Sequence, residues 1–310
     1  MVFSTNEEKL IPGYKKIRRS LLFVPICDEE AITKSLSTEA DLVIYDMEDT
    51  VPLELKIKSR EKILSIIDLP RSSRSEIGVR INSIGSGYEL DDLYTVLKSD
   101  KVSVLLIPKV ESPSDLHFVT NIIDTVASES VKSRITLIAA IETSLAMMNV
   151  KEIATCCNRL DTLMFAVHDY CISAEITRSA KNPELYFARS LVSNAAHAYG
   201  LECIDMINTD QVTEEEFKEE CIAGYRMGFS GKQAICDEQI DTIHRSYCPD
   251  LETVKKAIQK FKSMIFRIFV GQGVLLEEQE SAELTLILSL NKKYLHYSKP
   301  IFTIHFLNHV

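Results

Sequence analysis

The sequence predicts a (β/α)8 TIM barrel with a C-terminal helical extension, and three observations carry that reading. Eight short aliphatic runs recur between residues 21 and 236, each followed by a polar or amphipathic stretch of helical length. The runs are continuously apolar instead of alternating, as strands covered on both faces of a parallel sheet must be. No Gly-x-Gly-x-x-Gly follows the first run, which removes the best support for an open dinucleotide-binding sheet.

Taken in order, the strands fall at residues 21–25 (LLFVP), 41–48 (DLVIYDME), 77–82 (IGVRIN), 102–110 (VSVLLIPKV), 135–143 (ITLIAAIET), 162–169 (TLMFAVHD), 203–208 (CIDMIN) and 231–236 (GKQAIC). The intervening patterns predict helices over 53–67, 89–98, 145–157, 184–199 and 214–227. Ser114 and Thr213 stand where N-caps are wanted. Gly200 and Gly228 follow two helices, where a left-handed C-cap is wanted. Eight alternations of this kind fit a closed barrel over residues 18–249. Residues 250–310 form a second segment. It holds an amphipathic helix over 251–269 and then an apolar, aromatic tail (LTLILSL, KPIFTIHFL) suited to packing on the barrel or on a neighbouring subunit.

Charge and composition narrow the function. A net charge of −10 without a Lys/Arg-dense run argues against a nucleic-acid partner. No apolar run reaches the roughly 18–20 residues of a membrane-spanning helix. The first twenty residues lack a signal-peptide core, and Glu7 and Glu8 suit a transit peptide poorly. A cytoplasmic location is therefore expected, with the mitochondrion as the alternative. Eight cysteines without a C-x-x-C pair, two of them adjacent at Cys156 and Cys157, read as reduced thiols.

A barrel builds its active site where its strands end. Those ends carry Asp46, Glu48 and Asp49 (strand two), Arg80 (three), Lys109 and Glu111 (four), Glu142 (five), His168 and Asp169 (six) and Asp205 (seven). One charge at a strand end is often only solvated. Charges on six of eight strands must pair with one another or hold a metal, because isolated buried charges are costly. Acids in excess over two bases, all with hard oxygen donors, make the composition of a Mg2+ site.

The stretches RRSLLFVP (18–25), ADLVIYDMEDTV (40–51), VRIN (79–82), LIPKVES (106–112), IAAIET (138–143), YFARS (186–190) and GFSGKQAI (228–235) resemble, in order, the citrate lyase β-subunit-like family. That family of CoA-ester lyases includes malyl-CoA and citramalyl-CoA lyases and lies within the HpcH/HpaI aldolase group. The resemblance implies a Mg2+-dependent carbon–carbon lyase acting on a CoA thioester that yields acetyl-CoA and a 2-oxo acid. It also implies a homotrimer or homohexamer. The family's metal ligands fall on Glu142 and Asp169, and its substrate-carboxylate arginine falls on Arg80. Asp46, Glu48 and Asp49 match the acids that support the catalytic centre. Arg19, Lys109 and Lys232 match positions expected to meet substrate or CoA.

The chain also departs from the family. His168 replaces a Glu before Asp169, and Glu283 is the nearest acid by spacing to a late catalytic Asp. Asp28, Glu29 and Asp237 put negative charge near the expected phosphate rim. Two other functions remain open on the sequence: a catalytically impaired barrel with a binding or regulatory role, and a metal-dependent aldolase acting on a free oxo acid.

Overall fold

Eight strands close on one another in chain order: β1 (Ser20–Pro25), β2 (Leu42–Asp46), β3 (Glu76–Arg80), β4 (Val104–Ile107), β5 (Thr136–Ile141), β6 (Leu160–Phe165), β7 (Glu202–Asp205) and β8 (Gly231–Ala234). Every neighbouring pair is parallel, and β8 pairs with β1 to complete the barrel. The computed structural model describes residues 18–179, 181–209 and 212–249, with residues 252, 253, 255, 256 and 259 beyond them. Arg18–Tyr247 is one compact unit. The expected helix over 251–269, the apolar tail and Glu283 lie outside the described residues.

Among the described residues eleven α-helices follow the strands: α1 (Glu29–Ser35), α2 (Lys56–Ile67), α3 (Glu89–Val96), α4 (Pro113–Val126), α5 (Glu129–Lys132), α6 (Ser144–Met148), α7 (Val150–Ala154), α8 (Val167–Ser173), α9 (Tyr186–Ala198), α10 (Glu214–Arg226) and α11 (Glu238–Ser246). None of them is long and apolar enough to cross a membrane. Thr213 caps α10 in a reciprocal box with Glu216, as its position predicts. At α4 the cap is Ser112 and not Ser114: Pro113 fits the first helical turn and Asp115 completes the box. The helix expected over 145–157 is two helices meeting at Asn149. Gly200 and Gly228 adopt φ +74° and +94°, the left-handed geometry expected of them after α9 and α10.

Strand periodicity sorts the core into two layers. Leu21, Phe23, Leu42, Ile44, Val104, Leu106, Ile138, Ala140, Met164 and Ile204 form a cluster drawn from strands alone, which is the barrel lumen. The alternate residues, such as Leu22, Val43, Leu105 and Ala139, join the helices in a larger outer cluster. Side chains two apart on a strand share a face. On β2 the lumen series Leu42, Ile44 therefore continues to Asp46, and the β5 series Ile138, Ala140 continues to Glu142. On β3 it runs from Gly78, where a Cβ would lie 2.5 Å from Ile44 Cδ1, to Arg80.

The opposite end of the lumen is closed by Arg18. Its guanidinium reaches Glu76 (2.7 Å), Asp161 (2.8 Å), Thr162 (3.1 Å) and Thr136 (3.2 Å), which lie at the start of β3, β6 and β5. Burial opposes its charge, and the two carboxylates outweigh that, raising its pKa further.

Candidate active site

Strand register sets the first contact of the mouth. Asp46 and Arg80 are direct partners in the β2–β3 pairing. Arg80 Nε and Nη2 each donate to one Asp46 oxygen at 2.6 Å, a bidentate fork. Thr50 Oγ1 (2.5 Å) and the Glu48 N–H (2.9 Å) also donate to Asp46. Burial alone would raise the Asp46 pKa, but Arg80, Thr50 and that N–H hold it below the usual carboxylate range. Asp46 is thus an anchor whose lone pairs are committed. The third nitrogen of the fork, Nη1, lies 3.1 Å from Glu48 Oε2 and 4.0 Å from Asp49 Oδ2. Arg80 rests on the Phe23 ring with 5.2 Å to its centroid.

A second cation faces the first across Glu48. Lys109 Nζ lies 2.5 Å from Glu48 Oε1, 3.1 Å from Asp49 Oδ1 and 3.3 Å from Asp169 Oδ2. Burial pushes the Glu48 pKa up more than Arg80 and Lys109 pull it down. The loop carrying Glu48 is held from below by Lys56, whose ammonium donates to the carbonyls of Met47 (3.0 Å) and Glu48 (2.6 Å). Sequence reading missed Lys56. Its only sign was a lysine in the helix following an acid-rich loop.

Glu142 stands apart. It accepts the Lys109 backbone N–H, and no cationic side chain among the described residues lies within ion-pair range of it. It is 3% exposed. Burial, with Glu48 and Asp169 nearby, pushes its carboxyl up to about 8, against smaller pulls from the Lys109 N–H and Arg80. Asp169 is not at a strand end as expected. β6 stops at Phe165, and Asp169 lies in the first turn of α8, beside the exposed His168.

These oxygens fit a hard divalent ion. Glu142 is a buried carboxyl with no ion-pair partner among the described residues, and Asp169 and Glu48 are close enough to raise its pKa. Mg2+ characteristically takes one or two carboxylates and fills its remaining positions with water and substrate. Among the described residues no group of three or more His, Cys, Asp or Glu could hold a metal.

Other expected site residues are not brought to the mouth. Arg19 precedes β1, at the opposite end of the barrel, is 2% exposed, and is clamped by Asp41 at 2.8 Å. Lys232 is fully buried on the outer face of β8, where Ala234 joins the outer core. It is held by Glu220 and the Met206 carbonyl, each at 2.6 Å. The expected role of both in meeting CoA phosphates is corrected on this ground. Desolvated cations committed to carboxylates inside the fold cannot reach a ligand outside it. Lys232→Met is accordingly expected to lower the thermal midpoint while leaving acetyl-CoA affinity unchanged. Weaker affinity with an unchanged midpoint would restore the binding role.

Asp205 likewise faces outward, next to lumen residue Ile204, and is gripped by Arg189 of α9 at 2.6 and 3.0 Å. The acids of the supposed rim have local partners: Asp28 caps α1, and Asp237 accepts from Thr38.

A closed parallel barrel with carboxylates, an arginine fork and a lysine converging at its C-terminal mouth has the architecture of a barrel enzyme. The family model for HpcH/HpaI aldolase/citrate lyase matches residues 19–236, and the chain belongs to that family. Among curated relatives, the citrate lyase subunit beta of Haemophilus influenzae is 30% identical over 263 residues, covering 84% of this chain and 89% of that protein. Human mitochondrial citramalyl-CoA lyase is 28% identical over 310 residues, covering 94% and 90%. The Mycobacterium tuberculosis CitE protein, solved with magnesium, acetoacetate and coenzyme A, shares the fold. It has a TM-score of 0.67 at 21% identity, over 89% of this chain and 98% of that one.

Proposed function

We propose that this protein is a Mg2+-dependent CoA-ester lyase. Its substrate is a 3-hydroxyacyl-CoA such as citramalyl-CoA or malyl-CoA, cleaved to acetyl-CoA and a 2-oxo acid or formed in the reverse condensation. The observation that carries this reading is Glu142, a buried carboxyl at the barrel mouth that accepts the Lys109 N–H and has no cationic side-chain partner among the described residues. The citrate lyase β and citramalyl-CoA lyase relatives support it.

The ion would be held by Glu142 and Asp169, where it supplies Lewis-acid polarisation of the 2-oxo acid oxygen and an anchor for its carboxylate. The protein's own groups do the rest. Breaking the C2–C3 bond requires removal of the proton from the 3-hydroxyl, and the electron pair passes to the thioester as an enolate that is then protonated. Arg80 Nη1, the nitrogen not committed to Asp46, faces Glu48, and a substrate carboxylate would replace Glu48 as its partner. There the guanidinium stabilises negative charge as it moves. Asp46 is excluded as the base, because its oxygens already accept from Arg80, Thr50 and Glu48. Lys109 holds Glu48 and Asp49 in place. Assembly as a homo-oligomer and residence in the cytoplasm or a mitochondrion belong to the same proposal.

The test is cleavage of citramalyl-CoA and malyl-CoA by the full chain, following acetyl-CoA and the 2-oxo acid with Mg2+ and after EDTA. Turnover that needs Mg2+ is expected. The burial of Arg19 and Lys232 favours, as a second reading, an aldolase acting on a free oxo acid. Cleavage of free hydroxy acids but of no CoA ester would select it.

A further inference from the structure

Lys109 directly follows Pro108 at the end of the β4 segment, and its backbone adopts φ +51°, a left-handed conformation that residues with a Cβ rarely take. The twist aims two groups of one residue into the mouth. The backbone N–H meets Glu142. The ammonium meets Asp169 at 3.3 Å while also contacting Glu48 and Asp49. Both carboxylates assigned to the metal are therefore touched by the same residue, one through an uncharged donor and one through a full positive charge.

We propose that Lys109 is the resident counter-cation of this carboxylate cluster and competes with the divalent ion for Asp169. The inference rests on the assignment of Glu142 and Asp169 as metal ligands. Without an ion, the ammonium neutralises acids that would otherwise repel one another across the mouth. With an ion, two positive centres would share one carboxylate, so the ammonium has to give up Asp169 and keep Glu48 and Asp49. The side chain has room to do so: Lys109 is 33% exposed, and Asp49, on its open side, is 54% exposed. The backbone contact to Glu142 involves no charge and survives the exchange, so that ligand stays oriented while the other is handed over.

The experiment is titration of Mn2+ into the full chain, with free ion followed by electron paramagnetic resonance. The samples are wild type, Lys109→Met, Lys109→Arg and, as a control, Lys98→Met, an exposed lysine beyond α3. Lys109→Met is expected to bind Mn2+ at least about tenfold more tightly, whereas Lys109→Arg and Lys98→Met stay near wild type. The metal-induced rise in thermal midpoint should grow in Lys109→Met in the same order, and Lys109→Gln serves if Met does not fold. If wild type binds Mn2+ and Lys109→Met binds equally or more weakly, the competition is wrong and the metal assignment stands. If wild type binds none at millimolar concentration, both fall.

Discussion

Glu142→Gln is expected to cut turnover at least about a hundredfold, close to 2.7 kcal/mol of barrier, while making the metal-free protein more stable at alkaline pH. The two effects have one origin. The buried carboxyl is pushed from an ordinary 4.5 to about 8, which corresponds to on the order of 5 kcal/mol spent keeping its charge inside the fold. Its folded value lies above its unfolded one. The stability it contributes is therefore complete below about pH 4.5 and lost as pH rises through 8. Glutamine keeps the acceptor for the Lys109 N–H and never ionises. The thermal midpoint of the variant without metal should exceed that of wild type by at least about 2–4 °C at pH 9, for a gain of 1 kcal/mol or more, and the gap should close toward pH 5. Millimolar Mg2+ should stabilise wild type and leave the variant unmoved. A variant that is less stable than wild type at pH 9, or that still responds to Mg2+, would remove Glu142 from the metal site.

What the sequence exposed and what it hid follow from the same period of two. Continuous apolar runs sufficed to place the eight strands, because strands buried on both faces carry hydrophobic residues at every position. Counting back from the charged residue to its lumen neighbours would also have sorted the site. Asp46, Arg80 and Glu142 continue the inward series of Ile44, Gly78 and Ala140, whereas Asp205 and Lys232 fall on the outer face beside Ile204 and Ala234. Composition alone treats all five as charged strand residues. Other misplacements were of element ends. His168 and Asp169 look continuous with an apolar strand, yet the chain turns into α8 at Val167. Lys109 gave no hint of its left-handed backbone, and its partners Glu48, Asp49 and Glu142 come from elements distant in sequence. Lys56 was hidden for a related reason, because its partners are backbone carbonyls and sequence patterns do not record them.

Substitutions at Arg80 separate its two tasks. Arg80→Lys should lower kcat/KM at least about tenfold, roughly 1.4 kcal/mol, because a lysine keeps the charge but loses the planar fork that can hold Asp46 with two nitrogens and offer the third to substrate. Arg80→Met should instead destabilise the fold by about 3–5 kcal/mol, the range for breaking one side of a buried pair, since it strands the fully buried Asp46 carboxylate. The pH dependence gives an independent check. In wild type the folded-state value of Asp46 is depressed, so its contribution is present above its ordinary value near 3.8 and fades as pH falls through the folded one. The stability gap between wild type and Arg80→Met should therefore be widest at neutral pH and narrow in acid, where the stranded carboxyl can take a proton. Adding Asp46→Asn to Arg80→Met should recover part of the loss, because it removes the unpaired charge while keeping an acceptor for Thr50. A double variant no more stable than Arg80→Met would show that the ion pair is not what Arg80 contributes to the fold, and unchanged kcat/KM in Arg80→Lys would end its assignment to the substrate carboxylate.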